Sequence, residues 1–195
     1  GSQDQLREQA VLALDLLRAK AAEQAEILSQ ERRKLAQQLE KKATAAIRSL
    51  AMPHAHFQVV FGSGVARKDG ADTEFHVRDQ AGNERHLSVD GWDDCQFLFS
   101  PNPGEPPKPL QQVASGGELS RILLALKQIV GRADDVATYV FDEVDAGIGG
   151  AVADTVGKNL QGLSRTRQVL CITHLGQIAA YADAHYKVEK NVNQN

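Results

Sequence analysis

Residues 3–51 contain neither glycine nor proline and consist mainly of Ala, Leu, Gln, Glu, Lys and Arg. These side chains lose little on entering a helix, whereas glycine and proline are the residues that interrupt one. The stretch therefore predicts one long helix. Leu14, Ala21, Leu28 and Leu35 recur every seven residues, the spacing of a coiled-coil seam. The second seam position is poor: Leu17 is followed by Gln24, Glu31 and Gln38. After Leu35 the apolar rhythm steps by four to Leu39, then to Ala43, Ala46 and Leu50, which reads as a stutter. A helix patterned this way needs a partner to be stable. Met52-Pro53 ends it, because proline disfavours helical geometry at the residue before it. The expected division is a coiled-coil root helix at 3–52 and a second domain at 53–195.

From His54 to about Pro101 the texture becomes β-like. "HFQVVF", "TEFHVRD" and "CQFLFS" cluster or alternate apolar and aromatic residues. Gly62-Ser63-Gly64, Asp69-Gly70 and Ala81-Gly82-Asn83 supply turns, so an antiparallel sheet is expected. The proline-rich "PNPGEPPKP" at 101–109 then leads into "QQVASGGELSRILLALKQIVG" at 111–131. There a small turn, Ser115-Gly116-Gly117, meets a helix whose apolar stripe is Leu119, Ile122, Leu123, Leu126, Ile129 and Val130.

After this helix strands and helices alternate. "VATYVF" (136–141) and "QVLCIT" (168–173) are near-continuous apolar runs, as expected of parallel strands buried on both faces. Between them Val152, Val156, Leu160 and Leu163 fall at helical spacing. A short helix around Gln177–Ala182 and a last strand around His185–Glu189 follow. The class is α/β: a parallel sheet with helices, plus antiparallel strands, preceded by the long helix.

Four places carry chemistry. The turn at Ser115, Gly116, Gly117 and Glu118 precedes a helix, whose N-terminal N–H groups and dipole attract an anion. That attraction amounts to about 0.3–1 kcal/mol, or ~2 in good geometry, against about 8 kcal/mol for micromolar binding. The turn is therefore at most part of a nucleotide site. Asp142 and Glu143 stand where the first apolar strand ends, and ligands of open α/β sheets bind at such ends. An aspartate there holds Mg²⁺, while an adjacent glutamate faces the attacking water of phosphoryl transfer. Asp145 follows in the same loop. The second strand ends at Thr173-His174, on the same edge of a parallel sheet, and a histidine donates a hydrogen bond to phosphate. Each feature alone has an ordinary structural explanation: a strand-end turn, a helix start, a histidine satisfied by backbone.

The lysine-bearing phosphate loop G-x-x-x-x-G-K-[ST] is absent from the sequence. "GSGVARKDG" (62–70) lacks the Gly-Lys pair, and "GKN" (157–159) has Asn159 in place of the hydroxyl and Val152 in place of the first glycine.

In order, S-G-G-E before a helix, an apolar strand ending D-E, D-A-G, and an apolar strand ending T-H resemble the second half of an ABC-type ATPase head. Within that superfamily "ASGGELSRILLALK", "VFDEVDAGIGG" and "CITHLGQIAAYADAHYKVEK" are similar to the SMC-like group, whose heads sit on coiled coils, and to its bacterial DNA-repair branch. The resemblance covers essentially the whole chain, with motifs from 114 to 189. Ala114 departs from the leucine common in transporter signatures, and both ends are expected to be trimmed, Gly1-Ser2 reading as a cleavage scar. The resemblance implies that Ser115, Gly116 and Gly117, with Glu118, form the signature motif that touches the γ-phosphate of ATP on an opposite head. It implies Asp142 as the Walker B ligand of Mg²⁺, Glu143 as the catalytic glutamate, Asp145 as part of the D-loop at the dimer interface, and His174 as the switch histidine. Arg121 is a looser match, bracing the signature helix. The implied partners are the N-terminal head lobe of the same protein, a second head bridged by ATP, and double-stranded DNA, with no membrane. The implied activity is ATP hydrolysis in double-strand-break repair, absent from this stretch alone.

Composition bounds these readings. The chain has 195 residues, 42% hydrophobic and 24% charged, with a net charge of -3. That is a globular composition with no global pull toward nucleic acid or membrane, so DNA contact requires a local patch. Two cysteines, Cys95 and Cys171, do not make a disulfide framework, and a cytoplasmic setting is expected. His54-x-His56 with Cys95 has poor metal-ligand spacing. "ERRKLAQQLEKK" (31–42) is locally basic, but mixed charges along the helix favour a solvated face over a DNA grip. Two rival readings are a transporter ATPase subunit, disfavoured by the long root helix, and a non-catalytic coiled-coil module, disfavoured by the intact Asp142, Glu143 and His174 set.

Overall fold

The computed structural model describes residues 2–62, 75–131 and 135–189. The long helix is α1, Ser2–Arg48, followed by a turn through Ser49–Ala51, with Ala51 at φ 64°. Strand β1 is His56–Gly62, β2 His76–Arg78, β3 Glu84–His86, β4 Asp94–Ser100 and β5 Lys108–Pro109. A 3₁₀ turn at Leu110–Gln112 leads to α2, Gly116–Val130; then come β6 Thr138–Phe141, α3 Gly150–Ser164, β7 Gln168–Cys171 and α4 Gly176–Ala179. Strands β1, β4 and β5 form one sheet in the order β1-β4-β5. Strands β2 and β3 form an antiparallel hairpin, closed at Ala81-Gly82-Asn83, where Asp79 Oδ1 accepts from the N–H groups of Ala81 and Asn83. The expected turns at Ser63-Gly64 and Asp69-Gly70 lie outside the described residues, as do the first residues of "TEFHVRD".

The chain separates into two compact units: Gly1–Glu40 with Gln58–Leu98, and Lys41–Phe57 with Phe99–Asn195. In the first, Ala25 packs with Val77 and Trp92, flanked by Ala22, Phe75 and Leu87. Ser29 Oγ donates to Asp93 Oδ1 at 2.7 Å, and Arg32 Nη1 lies 3.3 Å from Asp93 Oδ2. The heptad leucines Leu14, Leu28 and Leu35 are exposed; the face of α1 that is buried carries Ala25, Ser29, Ala36, Ala43 and Ile47. Small residues dominate that face and let side chains, as at Ala25, and backbone come close to the helix.

The backbone approach has a regular form. Glu40, Thr44 and Arg48, four residues apart on α1, bind alternate residues of β1 and its entry. Glu40 Oε1 accepts from Val59 N–H at 2.8 Å, Thr44 Oγ1 accepts from Phe57 N–H at 3.2 Å, and Arg48 Nε donates to Ala55 O at 2.9 Å. Four helical residues rise about 6.0 Å and two strand residues about 6.6 Å, so the two periods stay in step. The side chains bond backbone groups of β1, which among the described residues is the end strand of its sheet, and of its entry.

The second unit contains the α/β core. Strands β6 and β7 are parallel, with Tyr139 opposite Val169 and Phe141 opposite Cys171. Tyr139 and Phe141 are buried, whereas Val140 is 63% and Leu170 48% exposed. The continuous apolar runs thus bury one face only, because among the described residues no layer covers the other. The buried residues of α2 are Gly117, Arg121, Ile122, Leu124 and Ala125. Leu123 and Val130 of the expected stripe stay exposed, because the helix turns its 117–121–124 side inward. In α3, Ala153, Val156, Gly157, Leu160 and Leu163 are buried. Gly157 lies against the Tyr181 ring, whose hydroxyl bonds Asp154, itself paired with Lys158 Nζ at 2.7 Å. Residues 185–189 form no strand; they are exposed and have no ladder partner.

The Thr44 link gives a stability test. Thr44→Val keeps shape but removes the hydroxyl that accepts from the Phe57 N–H, a loss of about 0.5–1.5 kcal/mol. Denaturant midpoints should show this loss, and Thr44→Ser should recover most of it.

Candidate functional site

The site lies in the second unit, where β6 ends and α2 begins. Ser115 is the N-cap of α2: its Oγ accepts from the Glu118 N–H at 3.3 Å. The next two residues meet the turn after β6. A side chain at Gly116 would run into the Glu143 carboxylate. A Cβ at Gly117 would stand 2.8 Å from Ala146 Cβ and 2.9 Å from Glu143 O. The two glycines therefore have a steric role within this chain, alongside any role toward an anion.

The same face of α2 ties down the turn. Ser120 Oγ donates to Asp142 O at 2.7 Å. Arg121, 6% exposed, donates from Nη1 to Ala146 O at 2.9 Å and Val144 O at 3.4 Å, while its Nε has no hydrogen-bond partner. Burial pushes the Arg121 guanidinium below its ordinary value, with Glu118 opposing the shift. A buried cation bonded to two carbonyls makes the turn's position depend on α2.

Within the turn, Asp142 and Glu143 are exposed, and Asp142 Oδ1 accepts from the Glu143 N–H at 2.8 Å. Glu143 has φ 56°, the left-handed region that side-chain-bearing residues avoid. The Ala146 N–H donates back to Glu143 O at 3.0 Å and helps hold this geometry. Val144, fully buried, anchors the turn between the two exposed carboxylates and Asp145.

Asp145 is 5% exposed. Its Oδ2 accepts from Thr173 Oγ1 at 2.6 Å and from the His174 N–H at 2.9 Å, and lies 3.0 Å from His174 Nδ1. Burial pushes the Asp145 carboxyl up, but the bonds from Thr173 and the His174 backbone, with the His174 ring, outweigh it and hold the group below the usual carboxylate range. The Thr173 hydroxyl also accepts from the Leu175 N–H at 3.0 Å. The His174 side chain itself is 77% exposed.

The structure thus brings Gly116, Gly117, Asp142, Glu143 and Asp145 into one turn-and-helix assembly and joins His174 to it through Asp145. Ser115 and Glu118 serve the helix cap. Ser120 and Thr173 escaped the motif reading. Ser120 was legible only by helical geometry, four residues after Gly116 on the same face; Thr173 was legible as the hydroxyl preceding the histidine. Among the described residues no group of three or more His, Cys, Asp or Glu side chains is arranged to hold a metal. Asp142 fits Mg²⁺ in a narrower sense. One exposed strand-end carboxylate is what that ion takes when water and phosphate oxygens fill its other positions.

The fold is that of an SMC-type head domain. The fold matches the Smc head domain with extended coiled coil from Pyrococcus furiosus, solved with the C-terminal domain of ScpA: TM-score 0.54, 16% identity, covering 93% of this chain and 38% of that one. The chain is 51% identical over 132 residues to DNA repair protein RecN of Treponema pallidum and 42% identical over 179 residues to that of Deinococcus radiodurans. Over most of its length it is homologous to part of these proteins, which carry the name DNA repair protein RecN. The two alignments take in 65% and 92% of the chain but 23% and 28% of the relatives, so the chain spans about a quarter of their length. No family model matches it.

Two measurements probe the local geometry. Alanine is the better helix former by about 1 kcal/mol, yet Gly117→Ala should destabilise by about 1–3 kcal/mol through overpacking, read as a lower denaturant midpoint. Burial first, then the Asp145 and Asp142 carboxylates, push the Cys171 thiol up to about 11. In a Cys95→Ser background its alkylation should be slow at pH 8 and rise about tenfold per pH unit toward pH 11; a plateau below pH 9 would contradict the buried, anionic surroundings.

Proposed function

We propose that this chain is one half of the head of an SMC-like ATPase that works in double-strand-break repair and recombination. Its functional division is a root helix at 3–52, leading into the coiled coil, and a C-terminal head lobe at 53–195. The observation that carries the reading is the assembly at the end of β6: two exposed carboxylates on a strained turn, packed on the glycine-started helix and linked to His174.

The apolar β6–β7 face supports a second lobe. Val140 and Leu170, paired across the strands, and Ile172 beyond them, 59% exposed, present a contiguous apolar surface. The N-terminal lobe of the same protein, carrying the phosphate loop that this sequence lacks, is the partner proposed for it. Two such heads then close on two ATP molecules, and hydrolysis reopens them.

In that closed state ATP with Mg²⁺ supplies the phosphoanhydride to be cleaved. Asp142 would hold the ion, which would neutralise charge on the phosphates. Glu143, held by its turn, orients water for in-line attack. Ser115, Gly116 and Gly117, backed by the α2 N-terminus and Glu118, face the γ-phosphate of the other head's nucleotide. Asp145 lies in the loop that runs along the head–head interface, and His174 meets the γ-phosphate of its own head. Double-stranded DNA, at its ends, is the substrate on which this cycle acts, in the bacterial cytoplasm at the nucleoid. On this reading residues 1–195 alone neither hydrolyse ATP nor bind it tightly.

In the full-length protein Glu143→Gln should retain ATP-dependent dimerisation while turnover falls by about 100-fold or more. Undiminished turnover would remove Glu143 from this role. ATP hydrolysis by residues 1–195 at the full-length rate would overturn the division of the site between lobes.

A further inference from the structure

Asp145 has a geometry that an interface residue does not need. Its carboxylate is buried in its own subunit, and one oxygen, Oδ2, receives Thr173 Oγ1, the His174 N–H and the His174 ring. These contacts fix both the backbone and the side chain of the histidine. The Arg121 and Ser120 bonds fix the turn that carries Asp145. Beyond His174, the short helix α4 is pinned by Tyr181 against Gly157 and Asp154. The ring is thus held by Nδ1 while 77% of its side chain faces solvent.

An ionised carboxylate only accepts hydrogen bonds. The nitrogen facing it must carry a proton in either charge state of the ring. Nε2 is then unprotonated in the neutral ring and protonated only in the imidazolium. A histidine oriented this way donates to a phosphate oxygen only as the cation, with the Asp145 carboxylate as its counter-charge. The neutral ring presents a lone pair, which repels that oxygen.

We propose that Asp145 is a positioning residue for His174 within the same subunit: it holds the ring as the Nδ1–H tautomer and presents Nε2, which engages the γ-phosphate as a charge-balanced imidazolium. The inference rests on the reading of His174 as phosphate-facing. The structural role of Thr173 follows from it: the hydroxyl binds Asp145 and caps Leu175, so the carboxylate cannot rotate away from the ring.

The test uses full-length protein labelled with ¹⁵N-histidine, the His174 signal being assigned by its loss in His174→Gln. The neutral ring should show a protonated Nδ1 and an unprotonated Nε2. In Asp145→Asn the amide oxygen can take the place of Oδ2 and keep the Nδ1–H form, but the imidazolium loses its counter-charge. The variant's ATP turnover should fall about 10- to 100-fold with KM little changed, and circular dichroism should report a retained fold. A predominantly Nε2–H ring in the unmutated protein would overturn the proposal, even if Asp145→Asn failed to fold. If His174→Gln is slowed and Asp145→Asn is not, the positioning role falls and the reading of His174 stands. If His174→Gln turns over normally, both fall together.

Discussion

The turn after β6 and the first turn of α2 occupy space that admits no side chain at positions 116 and 117, and the rest of the site depends on that close approach. It lets Ser120 and Arg121 reach the carbonyls of Asp142, Val144 and Ala146. It presses Val144 into the core, which leaves Asp142 and Glu143 facing outward on one side and Asp145 inward on the other. From Asp145 the connection passes to Thr173 and His174, and from there to α4, locked by Tyr181 over Gly157. A chain of short polar contacts thus links two strand ends and two helices that are far apart in sequence.

The long helix uses a different economy. α1 carries small residues on its buried face, and the match between a four-residue helical rise and a two-residue strand rise lets one row of side chains serve successive backbone groups of β1 and its entry. Glu40, Thr44 and Arg48 are chemically unlike; what they share is spacing. That explains why a helix with exposed leucines on its heptad seam still has an ordered position: the face it buries is a separate one.

Much of this was legible in the sequence where a local rule operates over many residues. The absence of Gly and Pro marked α1, proline at 53 marked its end, and the turn residues at 81–83 marked the β2–β3 hairpin. The order of S-G-G-E, D-E and T-H marked the start of α2 and the ends of β6 and β7. What remained hidden depends on tertiary partners. The apolar runs of β6 and β7 predicted two covered faces, yet sequence alone cannot say whether a covering layer lies within the same stretch of chain. The stripe chosen for α2 followed hydrophobicity, whereas the helix turns inward a side that includes Gly117 and Arg121, a glycine for closeness and a cation for the carbonyls. No spacing rule linked Asp145 to His174, because the link forms only once β6 and β7 pair in register and bring residues 28–29 positions apart to one place.

The two glycines at the start of α2 differ in how freely their surroundings can drift. At position 117 the obstacles are the Ala146 methyl and the Glu143 carbonyl, one of them backbone, so no exchange of neighbouring side chains clears the space completely. At position 116 the obstacle is the Glu143 carboxylate itself. Any side chain gained there must displace that carboxylate, so positions 116 and 143 are bound to evolve as a pair even though 26 residues of helix, loop and strand lie between them. A glycine that looks like an adaptation to an outside phosphate is, in lineage terms, also a constraint imposed by the glutamate on its own chain.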